Sequence, residues 1–565
     1  MSSLVHGLVI VVGLVAFGAA ALDTRGGGGT GLRPGPLHLG RSARWLARDG
    51  RSGASPARWA RRHELAPLLV PPRQGPAAGR VVLGVLGRTS VAAEPGQSVL
   101  VFGPTRSGKT SAVAVPAILG WEGPVVAASV KSDLLADTVA YRRRCGTVLC
   151  FDPSGTTGEP SCQWSPLERS ATWPGARRAA AGLAEGAKAV AGSLSDGDFW
   201  LAAAAKLLAP LLFAAAVGGL EMTDVVRWVD TGEERAVLDL LETAGVPAAL
   251  DAAWAHFSRE ERQRSSVATT AEVVLQPFAE LGDRRVQSGV RLDPAAVVAG
   301  SNTLYLCAPA HEQRRLSPLF VAVLHDLVEH VVDHVTATRA PLEPPLLLVL
   351  DEAANLAPLP DLDVLASTAA GHGIQLVTVF HDLAQVTARY GPRAPTVVNN
   401  HRVTLLLPGV TDPGTLEHVS TLVGDEEAMV PTTTWGARVA ASTSAAPVRR
   451  RLAPPDVLRR LPAGRAVVLA GTLLPALVSL RPWFSDPVLL ARREGRVEGA
   501  GNRGSERRTA VAGRGQWRRG QWRRGQWRRG QWRRGQWRRV QWRRVQWRRV
   551  QWRRGSGGGA SLPSR

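Results

Sequence analysis

From residue 80 onward, short apolar runs rich in β-branched residues alternate with longer Ala/Leu-rich stretches. Ser98–Phe102, Pro124–Ala128, Thr147–Phe151, Thr303–Cys307, Leu346–Leu350, Ile374–Phe380 and Val403–Leu407 read as strands. Most are continuously apolar, as expected of strands buried on both faces. Strands separated by helical stretches predict an α/β class with a parallel, doubly wound sheet. Between the third and fourth runs no strong strand pattern occurs. Ala179–Ala191, Phe199–Val217, Arg235–Thr243, Ala248–Phe257 and Ser266–Leu281 are helical there. The pattern predicts an all-α domain (161–297) inserted into an α/β domain (80–160 and 298–490), with Trp200 and Trp254 in the all-α core. A last pair, Ala466–Ala470 and Ala476–Leu480, predicts an edge hairpin across Gly471–Pro475.

Residues 4–22 form an uncharged apolar run just long enough to cross a hydrocarbon core, and it is the single stretch expected to do so. No cation precedes it, whereas Arg25, Arg33, Arg41, Arg44 and Arg48 follow. The positive-inside rule then favours a single-pass anchor over a cleaved signal peptide, with the bulk of the chain cytoplasmic. Residues 23–79, rich in Arg, Gly and Pro, read as a juxtamembrane linker.

Charge changes the picture only at the flanks. The 565-residue chain has a formal net charge of +22, but residues 501–565 hold 21 Arg against one Glu, and 23–80 hold 11 Arg against three acids. The body, 81–500, sums to −6. The high pI therefore excludes nothing and implies nothing about the body's affinity for nucleic acid. Four Cys show neither CxxC nor Cys/His ligand spacing, which argues against a zinc site or a disulfide framework.

The chemistry concentrates at two points. Gly103-Pro104-Thr105-Arg106-Ser107-Gly108-Lys109-Thr110 satisfies G-x-x-x-x-G-K-[ST], directly after a strand and before a helix-like run ending ahead of Pro116. Backbone N–H groups of such a loop close around phosphate at a helix N-terminus. Lys109 is expected to contact the β/γ-phosphates of ATP, and Thr110 to ligate Mg²⁺. The apolar run Leu346–Leu350 then delivers Asp351 and Glu352. Asp351 is expected to hold the Mg²⁺ shell and Glu352 to orient and deprotonate the attacking water, which a phosphate-only binder would not need. His381, after the next strand, is placed to sense γ-phosphate or to be an ordinary loop histidine.

These motifs come in a telling order: GPTRSGKT, SVKSDLL (129–135), FDPSG (151–155), WSPL (164–167), TLYLCAP (303–309), LDEAANLAPLPDL (350–362), HDLAQVTARYG (381–391) and RPWF (481–484). Together they resemble the TraG/TraD-like type IV secretion coupling ATPases over about 95–485. The resemblance implies a RecA-like P-loop NTPase, membrane-anchored and usually homo-hexameric, with an inserted all-α domain. It implies partners too: single-stranded DNA with its relaxase, and components of a type IV secretion channel. The family commonly has Gln at the place of His381 and two transmembrane helices where this chain shows one. A ring would need an arginine finger in trans, for which Arg315, Arg389 and Arg402 are candidates. An FtsK-like double-stranded DNA translocase and a non-hydrolysing ATP-binding scaffold that holds DNA are the alternatives. No LSGGQ-like signature supports an ABC transporter ATPase.

Residues 516–554 are eight copies of Gln-Trp-Arg-Arg, with Trp at every fifth position from Trp517 to Trp552. A period of five builds no apolar face on a helix or a strand, so 491–565 is expected to be a disordered basic tail. Its Arg pairs suit phosphates and its Trp suit bases or a membrane interface. Near-identical copies equally bear the stamp of a translated tandem DNA repeat.

Overall fold

The computed structural model describes residues 57–70, 79–130, 132–191, 197–281, 290–436 and 439–496. The expected anchor at 4–22 and the repeat tail lie outside them. The strands are β1 (Leu69–Val70), β2 (Val82–Leu86), β3 (Thr89–Ala92), β4 (Val99–Phe102), β5 (Val125–Ser129), β6 (Val148–Phe151), β7 (Thr303–Cys307), β8 (Leu346–Leu350), β9 (Ile374–Phe380), β10 (Val403–Leu406), β11 (Asp425–Gly436), β12 (Val439–Arg451), β13 (Arg465–Ala470) and β14 (Ala476–Ser479). Twelve form one sheet in the order β1-β3-β2-β14-β13-β10-β4-β9-β8-β5-β7-β6. From β10 to β6 every pairing is parallel. From β13 outward to β1 every pairing is antiparallel.

Continuous apolarity has the expected cause. In β4, Leu100 and Phe102 enter one core cluster while Val99 and Val101 enter the other. In β8, Leu348 and Leu350 face one side and Leu347 and Val349 the other. Side chains alternate across a strand, so a sheet covered on both faces needs apolar residues at every position. Burying each such side chain is worth roughly 1.5–3 kcal/mol against leaving it exposed.

Between β6 and β7 the described residues are helical: Trp173–Ala191, Gly197–Val217, Met222–Thr231, Arg235–Ala244, Pro247–Phe257, Glu261–Leu281 and Pro294–Val298, after a short 3-10 turn at Arg169–Ala171. Gly197–Val217 is long and apolar enough to span a membrane, contrary to the expectation that only 4–22 would be. It is instead the central helix here, mostly buried, with Leu208, Leu212, Ala214 and Ala215 fully enclosed. Arg169 joins this segment to the Gln313–Thr338 helix of the α/β part, donating to Asp326 (2.9 Å) and Asp333 (2.8 Å).

Several sequence expectations are corrected. The hairpin β13–β14 is internal, because β14 pairs with β2 and the antiparallel wing continues to β1. The stretch expected as linker contributes a 3-10 helix at Arg62–Leu68 and then β1; Leu65 and Leu68 are buried, so apolar content overrides an Arg-rich context. Trp254 is 49% exposed rather than in the helical core, whereas Trp200 is partly buried against it. Pro116 does not end its helix. A π-helical turn at Thr110–Ala114 leads into Val115–Gly120, and Pro116 falls in the new first turn, where a missing N–H costs least. The two-stranded ribbon β11–β12 had no counterpart in the sequence reading.

Candidate functional site

The C-terminal ends of β4, β9 and β8, neighbours in the sheet, bring three distant segments together. Gly103 to Thr110 leaves β4 as a loop and enters the π-turn. Gly103 must lack a side chain: a Cβ there would lie 2.5 Å from Ser107 Oγ and 3.0 Å from Leu407. Gly108 has φ +98°, in the region that glycine tolerates best, and Arg106 adopts φ +66°. Pro104 accepts from the Ser107 N–H at 3.3 Å, curling the loop on itself, with Thr105 inside the turn.

Lys109 is buried. Its ammonium donates to Gly103 O (2.8 Å) across the loop and to His381 Nδ1 (3.3 Å) at the end of β9. Thr110 Oγ1 donates to Asp351 Oδ2 (2.9 Å) at the end of β8. Thus Lys109, Thr110, Asp351 and His381, which lie up to 272 residues apart in sequence, are in one contact network. Glu352 follows Asp351 with φ +64°, a left-handed conformation that costs a non-glycine residue about 1 kcal/mol or more. The turn is pinned by Asp351 N–H to Ala128 O (3.0 Å) and Ala353 N–H to Val379 O (3.1 Å), on strands to either side.

Electrostatics single out Asp351. Burial, opposed by the Thr110 hydrogen bond and reinforced by the neighbouring Glu352, pushes its carboxyl up to about 6. Its Oδ1 is enclosed and has no hydrogen-bond partner among the described residues, and Ser107 Oγ is likewise enclosed and unpartnered. A buried, unsatisfied carboxylate oxygen beside a threonine hydroxyl is a hard-oxygen donor set that fits Mg²⁺. His381 is held from behind: its backbone N–H donates to Gln385 Oε1 (2.8 Å), and Asp382 Oδ1 caps the next helix through the Gln385 N–H (2.8 Å). Of the arginines considered as fingers, Arg389 is part-buried and reaches Pro358 O (3.4 Å), Arg315 pairs with Glu312, and Arg402 is exposed on the antiparallel side beside Gly471. Sequence reading missed Ser107 as an enclosed hydroxyl and Gln385 as the brace of His381; the capping pattern Asp382-x-x-Gln385 was the available signal for the latter.

The parallel sheet with β9 between β4 and β8, and its likeness to solved coupling-protein structures, define the class: an α/β protein with the RecA-like NTPase fold. A family model described as "Type IV secretory system Conjugative DNA transfer" matches residues 66–502, and the chain belongs to that family. Among curated relatives, the conjugal transfer protein TraG of Escherichia coli is 26% identical over 441 residues, covering 70% of this chain and 68% of TraG. Protein VirD4 of Agrobacterium fabrum (strain C58 / ATCC 33970) is 24% identical over 424 residues, covering 69% of this chain and 59% of VirD4. Among solved structures, the trigonal form of the bacterial conjugative coupling protein TrwBdeltaN70 with sulphate superposes with a TM-score of 0.56 at 21% identity, covering 76% of this chain and 96% of that one. The plasmid coupling protein TrwB in complex with ADP and Mg²⁺ gives a TM-score of 0.53 at 20% identity, covering 68% and 85%. At these identities the structural likeness concerns the fold.

Proposed function

We propose that this chain is a membrane-anchored ATPase which, as a homo-hexamer, couples ATP hydrolysis to delivery of conjugative DNA, or relaxase-bound nucleoprotein, to a type IV secretion channel. The observation that carries the reading is the Thr110–Asp351 hydrogen bond with Lys109 beside it, which joins a phosphate loop to a carboxylate strand across β9. Family membership and the ADP- and Mg²⁺-bound TrwB neighbour support the nucleotide. The anchor rests on the apolar run 4–22 and the Arg cluster after it.

In this reading the loop N–H groups from Gly103 to Thr110 hold the β- and γ-phosphates of ATP, and Lys109 turns its ammonium from Gly103 O to them. Thr110 Oγ1 and Asp351 would hold Mg²⁺, which when bound neutralises charge on the phosphate oxygens. Glu352, on its strained turn at the β8 end, accepts the proton of the water that attacks the γ-phosphorus. His381 Nδ1, touching Lys109, loses or regains that contact as the γ-phosphate arrives and leaves, and passes the change to the helix capped by Asp382. The test is ATP turnover by the full chain in detergent, with and without single-stranded DNA. DNA-stimulated turnover should fall by at least about 10²-fold in Lys109→Ala and Glu352→Gln, with nucleotide binding kept in the latter. Turnover unchanged in both variants would sink the assignment.

A further inference from the structure

The helical segment contains a cavity of about 320 Å³ that shares no residue with the phosphate loop or its carboxylates. Three helix stripes converge on it. Trp173 and Arg177 lie one turn apart on Trp173–Ala191, Lys206 comes from Gly197–Val217, and Arg259 follows Pro247–Phe257. The side chains of Arg177, Lys206 and Arg259 have no carboxylate partner and no hydrogen bond among the described residues. In the same segment Lys188 pairs with Asp198 (2.7 Å), Arg227 with Asp224 (3.1 Å), and Arg264 with both Glu234 and Glu261, while Arg235 and Arg262 are unpaired among the described residues but do not line this cavity; what sets the three cations apart is their convergence on one concavity. His256 in the cavity wall feels the excess positive charge. Burial first, then Arg259 and Arg264, push it down to about 4.

Three uncompensated cations around one concavity repel each other, and an anion seated among them removes that cost. The rest of the lining decides which anion. It is mostly alanine methyls and Leu207, with the Trp173 ring held edge-on to Phe213 at 6.1 Å. A nucleobase on that floor would leave its N–H donors without acceptors, because Arg177, Lys206 and Arg259 only donate and the floor is apolar. An aliphatic side chain flanked by carboxylates satisfies both floor and rim. The charged residues of the chain's flanks outside the described residues are almost all arginine, so neither flank offers an acidic segment of its own.

We propose that this cavity docks an acidic peptide segment of a partner protein, with one aliphatic anchor on the alanine floor and carboxylates on Arg177, Lys206 and Arg259. The probe is a dodecapeptide repeating Asp-Glu-Leu, with a benzophenone photocrosslinker at one Leu position, applied to the full chain in detergent. Cross-links are mapped by mass spectrometry, which separates this site from polyanion binding by the Arg-rich tail. Labelling should map to the three helices and fall about tenfold for Lys206→Glu with Arg259→Glu, and for the exposed Arg177→Glu alone. It should be unchanged in Arg450→Glu, on the distant β12. ATP turnover and melting temperature should stay at the parent values, since none of these residues touches the phosphate loop. A repeat of Asn-Gln-Leu, or of Asp-Glu-Ser, should label the helices no better than background. Labelling confined to the tail, or equal in parent and charge-reversed chains, overturns the proposal. So does competition by a dodecamer of thymidylate that exceeds competition by unlabelled acidic peptide, which would make the cavity a nucleic-acid site.

Discussion

Asp351, proposed above to hold Mg²⁺, shows how burying one ionisable group bears on stability. Its folded-state pKa of about 6 lies above an unfolded carboxylate's roughly 3.9, so the native chain binds more protons than the unfolded one between those values. Stability contributed at this position therefore falls as pH rises through that window, and at neutral pH the ionised, half-satisfied carboxylate is a cost. Asp351→Asn should raise the melting temperature of the nucleotide-free chain by about 2–4 °C at pH 7.5, and by less at pH 4, while abolishing Mg²⁺-dependent turnover. Differential scanning fluorimetry at the two pH values checks it. Arg142 is the opposite case, a fully buried guanidinium whose N–H groups reach Trp121 O (2.7 Å), Gly123 O (2.8 Å), Ser301 O (2.8 Å) and Thr303 Oγ1 (2.7 Å). Arg142→Met leaves those carbonyls without donors and should cost about 3–5 kcal/mol in urea unfolding. Lys109 and Thr110 stand out in sequence through the fixed spacing of G-x-x-x-x-G-K-[ST], and Asp351 and Glu352 through their place after a continuous apolar strand; the structure adds the Thr110–Asp351 contact. Arg142 does not stand out, since nothing local distinguishes a buried Arg from the exposed Arg143 and Arg144 beside it.

Secondary-structure elements were legible where both faces are covered and obscure where they are not. All seven strands from β4 to β10 lie within a residue or two of the apolar runs that predicted them. The short β1, β2 and β3 escaped notice: β1 has two residues, Gly84 breaks the apolar run of β2, and all three pair only with one another and β14. The ribbon β11–β12 escaped for a different reason. Ala428 to Val448 reads as a bland stretch made mostly of small, apolar and Thr/Ser residues, and near the ribbon's base apolar side chains are exposed: Met429 is 63% and Val448 46% exposed. Charge pairs close its base, Arg450 with Glu426 (2.8 Å) and Arg451 with Glu417 (2.7 Å). Replacing residues 428–448 by a two-residue Asn-Gly turn should therefore leave the base pairs in place and shift the melting temperature by less than about 3 °C. In the phosphate loop, by contrast, Gly103→Ala forces a Cβ against Ser107 and Leu407. It should weaken nucleotide binding by about tenfold or more, read by fluorescence titration.

At the scale of the molecule, pH dependence integrates the buried groups. His401, wholly buried under β9, donates Nδ1–H to Val397 O (2.7 Å) and accepts from the Thr378 hydroxyl at Nε2 (2.9 Å), and burial pushes it down to about 4. His256 is depressed to a similar value. Unfolded histidines titrate near roughly 6.5, so their stability contribution is full above that pH and is lost as pH falls toward 4. Two histidines outweigh the opposing effect of Asp351 in that interval. The chain should lose stability on acidification from pH 6.5 to 4.5, and His401→Gln should flatten the slope of melting temperature against pH. An unchanged slope would show that His401 is not held neutral by the fold. The sequence by itself determined the α/β class, the positions of the parallel strands, the helical run between β6 and β7, and the phosphate-loop and carboxylate motifs. Each of these is written in local periodicity or fixed spacing. Only tertiary structure decided that β9 lies between β4 and β8, so that His381 meets Lys109, and that β13–β14 is internal rather than an edge. It also decided that Gly197–Val217 is a core helix, and that three unpaired cations share one cavity. Strand order, burial and charge compensation depend on which distant segments pack together, and no local pattern along the chain encodes that.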